Sequence, residues 1–336
     1  MRMPHCGKEP VASKAGSVLL GFAGGCWFNG GMVSWAVAEP FVLTEPVRRT
    51  VPIILSSPHS GRHYTREFLA ASRLDTLAIR RSEDSFVDEL FAAGPALGMP
   101  LLAATFPRAY CDANREPWEL DPEMFEDRLP SYINAGSPRV AAGLGTIARI
   151  VATGERIYSR KLTFAEAEQR IQRCWRPFHG KLRSVIDSTM ESFGACLMID
   201  CHSMPSPSPD TMPAIAPEKA ARPPDIILGD GFGTSCAPKI TAFAEATLRQ
   251  LGFTVTRNDP YAGGYITRHY GRPRQQRHAL QIEISRRLYM DERRMEKTPG
   301  FAALCLRLGD FLATLAEAAR VLLPGADPRG IARAAE

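Results

Sequence analysis

Short apolar runs alternate with longer amphipathic stretches along most of the chain. Val51-Pro-Ile-Ile-Leu-Ser56 is nearly continuous in apolar residues and leads into Pro58-His-Ser-Gly61, which predicts a buried strand closed by a turn. Pro100-Leu-Leu-Ala-Ala-Thr105, Ala195-Cys-Leu-Met-Ile199, Asp225-Ile-Ile-Leu-Gly229, Phe253-Thr-Val-Thr256 and Ala279-Leu-Gln-Ile-Glu-Ile284 predict further strands. Helical spacing falls between them. Leu74–Ala93 predicts a helix with Phe86, Leu90 and Ala93 on one face. From Thr163 a second stripe runs through Ala167, Ile171, Cys174, Phe178, Leu182, Val185 and Ile186, and Pro177 should kink it near Trp175. Ile240, Phe243, Leu248 and Leu251 mark a third helix. Phe301, Leu304, Leu308, Phe311 and Leu315 mark a C-terminal one.

Strands that are apolar along their length and alternate with helices imply an α/β sheet covered on both faces. The 336 residues would allow two domains at roughly 150 residues each, but no linker divides the periodic region. The proline-rich stretch 204–224 is a loop too short to be a boundary. One α/β domain over 46–322 is therefore expected, with a C-terminal tail over 323–336. Residues 1–45 are different: rich in Gly, Ala and Trp, without either period, they are expected to form a poorly ordered extension. Basic residues before Val18–Phe28 and an Ala36-Val-Ala38 triplet raise a signal peptide as an alternative, and Met32 raises a misassigned start. The glycines in that run weaken the signal-peptide reading, and the run is too short to cross a membrane.

Composition confirms the globular class and narrows the partners. Hydrophobic residues make up 45% and charged residues 23%, which excludes a disordered or collagen-like chain. The net charge of +5 is spread along the sequence, so no nucleic-acid partner is expected, and no membrane partner either. Eight cysteines form no Cys-x-x-Cys pair, which favours reduced thiols and a cytoplasmic location.

The candidate chemistry gathers at strand ends. Ser57-Pro-His-Ser-Gly61 follows the first strand, Asp200-Cys-His-Ser203 follows another, and Glu283 interrupts an apolar strand. Open α/β sheets bind ligands beyond such ends. Two histidines with nearby carboxylates fit a catalytic zinc, which takes three protein ligands, leaves one position open and lowers the pKa of water there to about 7. His59 and His202 are the first two candidate ligands, and Glu283 is the candidate base. Each has a plainer reading, since a single His after a strand is commonly a turn residue. A carboxylate inside an apolar strand is the sharper anomaly, because ionised it is costly without a partner. Asp200 could orient His202 from behind. A nucleophile at Cys201 or Ser203 is the alternative enzyme reading, but adjacent strand residues face opposite sides, which separates Cys201 from His202. A metal-free binding protein using Arg268, Arg272, Arg274 and Arg277 is the non-enzyme alternative.

With their neighbours, these residues resemble the N-formylglutamate amidohydrolase family. The resemblance is carried by eight ordered segments over about residues 48–320. They are Ser57–Gly61, Glu83-Asp-Ser-Phe-Val-Asp-Glu-Leu90, Tyr110-Cys-Asp-Ala-Asn-Arg115, Gly143–Ile147 with Arg156-Ile-Tyr158, Ile199–Ser203, Asp225–Asp230, Gly263–Thr267 and Gln281–Asp291. The family is similar to zinc carboxypeptidases, so the resemblance implies a mixed, twisted sheet between helices, a phosphorylase/hydrolase-like arrangement with one zinc per chain. The implied activity is removal of formate from N-formyl-L-glutamate, the last step of one histidine-degradation route, and the implied partner is a small acidic N-acyl amino acid. The nearest alternative is a zinc deacylase or small peptidase acting on another N-acyl amino acid.

Carried over by position, the resemblance supports His59, His202 and Glu283 in the roles above. It also implies that Asn114 and Arg115 grip the substrate carboxylate, a task for which a guanidinium fork is suited. Arg156, Thr267 and Arg286 are further substrate-contact candidates, and Arg286 could instead simply pair with Glu283. Zinc carboxypeptidases place a Glu three residues after the first His, whereas Arg62 stands there in this chain. The third ligand is therefore expected at Asp84, with Asp88 one helical turn away supporting it or binding substrate. Glu67 and Glu83 remain open as alternatives. Nothing in the sequence specifies the oligomeric state.

Overall fold

A computed structural model describes residues 39–206 and 223–323. The extension 1–38, most of the proline-rich loop and the tail from 324 lie outside the described residues, and with them lie the signal-peptide and start-site alternatives. Seven strands form one sheet: β1 (Phe41–Thr44), β2 (Ile53–Ser57), β3 (Leu101–Ala104), β4 (Cys196–Met204), β5 (Ile226–Gly229), β6 (Val255–Arg257) and β7 (Arg277–Ser285). Their spatial order is β1-β3-β2-β4-β7-β5-β6. β3, β2, β4 and β7 run parallel, while β1 pairs antiparallel with β3 and β5 pairs antiparallel with β7. The sheet is mixed, as expected.

The helices are α1 (Arg66–Ala71), α2 (Val87–Leu90), α3 (Pro138–Ala141), α4 (Phe164–Arg170), α5 (Arg176–Phe193), α6 (Pro238–Gln250), α7 (Tyr265–Tyr270) and α8 (Gly300–Leu322). Strand alternation decides what each sheet face sees. Leu197, Ile199 and Cys201 of β4 join Leu280, Ile282 and Ile284 of β7 under α6 and α8. The opposite face carries Ile54, Cys196, Met198 and Ala279 against Phe178, Leu182 and Ile186 of α5. Further along that second face, the same alternation turns Asp200, His202, Gln281 and Glu283 outward in a row. In the β4–β7 register Asp200 lies opposite Gln281, and His202 lies opposite Glu283.

Three local expectations are corrected. Residues 41–44, placed by sequence in the extension, form the edge strand β1, whose half-exposed alternating pattern is too short and weak to stand out. The helix expected over Leu74–Ala93 is broken into a 3-10 turn at Ile79–Ser82 and the single turn α2, with Phe86 in the left-handed region at φ 65°. Long-range partners override helical propensity there: the Asp84 amide donates to the His59 carbonyl (3.0 Å), and Arg286 Nη2 donates to the Glu83 carbonyl (2.6 Å). Finally, Pro177 does not kink the long helix at a break. The chain stays helical from Phe164 to Phe193 and widens through one π turn at Ile171–Trp175, just ahead of the proline that lacks an N–H.

α8 supplies much of the apolar cover, and its two faces differ in what they contribute. Leu308→Ala, at a fully buried site, should lower unfolding free energy by about 2–5 kcal/mol, whereas Leu306→Ala, 73% exposed, should change it by less than about 0.5 kcal/mol. Urea denaturation with an unchanged m-value checks both.

Candidate active site

The carboxyl ends of β2, β4 and β7 open into a cavity of about 460 Å³, a size suited to a small-molecule substrate. His59 lies just past β2, while His202 and Glu283 lie near the ends of β4 and β7. Asp84 comes from the loop that replaced the expected helix. His59, Asp84 and His202 are all buried, with donor atoms within 4.8 Å of one another, and form a group able to hold a metal ion. His59 Nδ1 lies 3.3 Å and His202 Nδ1 lies 2.9 Å from Asp84 Oδ2. Donors at the corners of a tetrahedron around zinc lie about 3.4 Å apart, given bond lengths of about 2.0–2.1 Å.

The far side of each imidazole meets another carboxylate. His59 Nε2 lies 2.7 Å from Asp112 Oδ1, and His202 Nε2 lies 3.1 Å from Asp200 Oδ2. With each Nε2–H donating to its carboxylate, both Nδ1 atoms point toward Asp84, where a metal ion would take the place of the Nδ1 proton, the carboxylate–histidine arrangement typical of metal sites. The Nδ1 of His59 is buried and has no hydrogen-bond partner among the described residues. An orphaned buried nitrogen beside a histidine and a carboxylate fits a cation as the missing partner.

Opposite charges set the protonation states around this group. Burial raises the carboxyl pKa of Asp112, but Arg115, His59 and Arg108 overcome it and hold the group well below the usual carboxylate range. Burial likewise opposes charge on His202, yet Asp200, Asp84 and Glu283 draw its pKa well above the normal imidazole value. Burial lifts Glu283 to about 7, with Asp84 and Asp200 adding to the rise and with His202 and Arg108 opposing it. Gln281 Nε2 donates to Glu283 Oε1 (2.9 Å) and so fixes the carboxyl, while Gln281 Oε1 accepts from the Gly264 amide (2.9 Å).

The other sequence candidates fall into two groups. Arg115 lines the cavity, its Nε donating to the Leu144 carbonyl (2.9 Å) and its Nη1 to the Asn114 carbonyl (2.8 Å). Asn114 is committed elsewhere: its Oδ1 accepts from the Ile266 amide (2.7 Å), and its Nδ2 lies 3.0 Å from His202 Nε2 and 3.4 Å from Asp200 Oδ2. By donating to Asp200 the amide braces the carboxylate behind His202, and Arg115 is the member of the pair with capacity left for a ligand. Arg286 lines the cavity but pairs with Asp84 (3.3 Å) rather than Glu283, and it also bonds the Ser203 hydroxyl and two carbonyls.

Thr267 is buried beneath the cavity wall, its hydroxyl donating to the Gly264 carbonyl (3.1 Å). That wall needs its glycines. Gly263 has φ +127°, and a Cβ on Gly264 would sit 2.3 Å from Asn114 Nδ2. Thr267 therefore does not reach a ligand, and two more candidates are not brought to the cavity. Asp88 faces Arg62 (3.4 Å) in a separate hollow, because the left-handed Phe86 turns it away from Asp84. Arg156 is exposed, in another hollow beside Arg73 and Arg160. Of the alternative ligands, Glu83 bonds Arg80 and Ser85 instead.

Sequence reading passed over Asp112, Arg108, Arg139 and Gln281, all of which line the cavity. Two signals were available: Asp112 sits two residues before Asn114, and Gln281 shares the strand face of Glu283. The π turn and α5 support this region from behind, with Trp175 Nε1 of the turn donating to the Arg115 carbonyl (3.0 Å) and His179 Nε2 of the helix donating to the Ala113 carbonyl (2.8 Å). Burial pushes His179 down to about 3, so it stays neutral in this role.

The fold is a mixed α/β sheet with helices, and by its relatives the molecule is a hydrolase of amide bonds. The model of the N-formylglutamate amidohydrolase family matches residues 51–290, and the chain belongs to that family. The crystal structure of N-formylglutamate amidohydrolase from Ralstonia eutropha JMP134 is 38% identical with a TM-score of 0.76, covering 84% of this chain and 99% of that one. A N-formylglutamate deformylase of Pseudomonas putida is 28% identical over 249 residues, 72% of this chain and 83% of the relative. Its counterpart in Pseudomonas aeruginosa is 29% identical over 73% and 84%. A solved protein from Agrobacterium tumefaciens, 16% identical with a TM-score of 0.61, shares the fold over 84% of this chain and 98% of its own. No helix among the described residues is long and apolar enough to cross a membrane.

The Asp112–His59 pair yields a direct test. Asp112→Asn removes the charge that orients the imidazole, and it should weaken divalent-metal affinity by about 10–100-fold while the fold remains intact. Competition with a calibrated chelator measures it.

Proposed function

We propose that the protein is a zinc-dependent deformylase that converts N-formyl-L-glutamate to L-glutamate and formate. The observation that carries this reading is the make-up of one cavity: His59, His202 and the buried Glu283 line it together with Arg108, Arg115 and Arg139, and Asp84 completes a group with the two histidines that could hold a metal ion. The names borne by the relatives above support the substrate. The set of two imidazoles and one carboxylate suits zinc, with no cysteine in it. When bound, zinc would polarise the formyl carbonyl and lower the pKa of water to about 7.

The chain's own residues supply the remaining steps. Arg115 holds a substrate carboxylate and thereby points the formamide toward Glu283. Ionised Glu283 takes the proton of the attacking water as its oxygen bonds to the formyl carbon. Gln281 keeps the receiving carboxylate in place. Glu283 then returns the proton to the amide nitrogen as the C–N bond breaks, releasing formate and the free amine of glutamate. Arg108 adds positive charge beside the oxygen that becomes negative. A cytoplasmic setting is consistent with six described cysteines that form no disulfide, five of them buried.

Two outcomes are expected from Glu283. Because the ionised form is the base and its pKa is raised to about 7, kcat/KM should fall tenfold per unit as pH drops below about 7, and it should level off above. Glu283→Gln should keep the metal and lose about 10²–10⁴-fold in formate release, removing that acid limb. Retained activity would show that another group is the base. Comparing formate release with acetate release from N-acetylglutamate then tests the acyl group, since a deacylase of broader range would turn over both.

A further inference from the structure

The cavity holds more positive charge on one wall than its own carboxylates neutralise. Arg108, Arg115 and Arg139 all line it, with Asp112 the carboxylate of the same lining nearest them. Asp112 is already heavily used: it accepts from Arg108 Nη2 (2.9 Å), meets His59 Nε2 (2.7 Å) and accepts from the Asn114 amide (2.8 Å). Arg115 lies 3.8 Å from the same carboxylate. Arg139 differs from the other two. Among the described residues its guanidinium makes no hydrogen bond and no ion pair, although Asp112 and the buried Glu119 act on it from further away.

Arg139 is nevertheless firmly placed. It sits on α3, where the Ser137 hydroxyl caps the turn by accepting from the Val140 amide (3.2 Å). The Leu144 amide donates to the Arg139 carbonyl (2.8 Å), and the Leu144 carbonyl accepts from Arg115 Nε (2.9 Å). One short segment therefore ties the two arginines together and sets the distance between them. Burial, together with Arg268 and Arg108, disfavours the charge of Arg139, and that penalty is relieved when an anion binds.

We propose that Arg139 binds the side-chain carboxylate of the substrate while Arg115 binds the other carboxylate, so that the site selects dicarboxylic N-acyl amino acids. This assignment rests on the reading of the protein as an N-acyl amino acid hydrolase and names the residue that makes it specific for an acidic side chain. A planar guanidinium with unused donors can meet a carboxylate in two parallel bonds, which a neutral carboxamide cannot equal.

The experiment compares N-formyl-L-glutamate with its neutral isostere N-formyl-L-glutamine, using the full chain, the wild type and Arg139→Met. The wild type should favour the acidic substrate. In Arg139→Met the ratio of the two kcat/KM values should collapse by about 10–100-fold, the loss expected for one charge-assisted interaction. Arg139→Lys, which keeps the charge without the fork, should restore part of the ratio. A ratio that persists in Arg139→Met, whether both rates fall together or neither falls, overturns the assignment to Arg139 and leaves the hydrolase reading intact. A wild type inert toward both substrates and toward other N-formyl amino acids overturns the hydrolase reading, and this assignment with it.

Discussion

The carboxylate of Asp84 is the interaction on which the site depends. It is buried, and its oxygens meet His59, His202, Ser203 and Arg286. Burial makes an isolated ionised carboxylate very costly, so this one persists only because cationic and hydrogen-bonding partners surround it. Its pKa accordingly lies well below the usual range despite complete burial. The need to gather those partners explains much of the local chain path. The loop around Asp84 gives up helical bonds, Arg286 reaches back to the carbonyls of Arg81 and Glu83, and β2 and β4 end where their histidines can meet Asp84.

A second tier of carboxylates supports the first. Asp112 and Asp200 each fix one imidazole, and each is in turn fixed by Arg108 or by Asn114. Glu283 is treated differently. It has Gln281 for a partner rather than a cation, and its pKa rises, whereas those of Asp84 and Asp112 fall. One cavity thus keeps two kinds of carboxylate, one kind ionised to hold imidazoles and cations and the other poised near neutrality. That separation is what hydrolysis of an amide at neutral pH requires of a base.

How much of this was legible in the sequence depends on the range of the contacts involved. The inner strands read clearly, because a buried strand declares itself by a continuous apolar run. His59, His202 and Glu283 also read clearly, because each is polar where such a run demands otherwise. Asp84 is the expected carboxylate ligand only through the family resemblance, with Asp88, Glu67 and Glu83 as alternatives. Its supposed helical relation to Asp88 was wrong, because bonds to His59 and Arg286, distant in sequence, reshaped the backbone between them. Asp112 and Arg139 could not be read as a pair of site residues at all. They are separated by a loop-rich stretch and converge only through contacts such as Arg115 with Leu144. The edge strand β1 was hidden for a different reason: four half-exposed residues bury too little to leave a pattern.

The proposed mechanism stands on two imidazoles and one carboxylate, without sulfur, as the group that would hold a metal. X-ray absorption at the zinc edge of the zinc-loaded protein tests it most directly. The account predicts one zinc per chain in a shell of nitrogen and oxygen at about 2.0–2.1 Å, with imidazole scattering from two histidines. A sulfur shell at about 2.3 Å, or zinc that shows no histidine scattering, would contradict it.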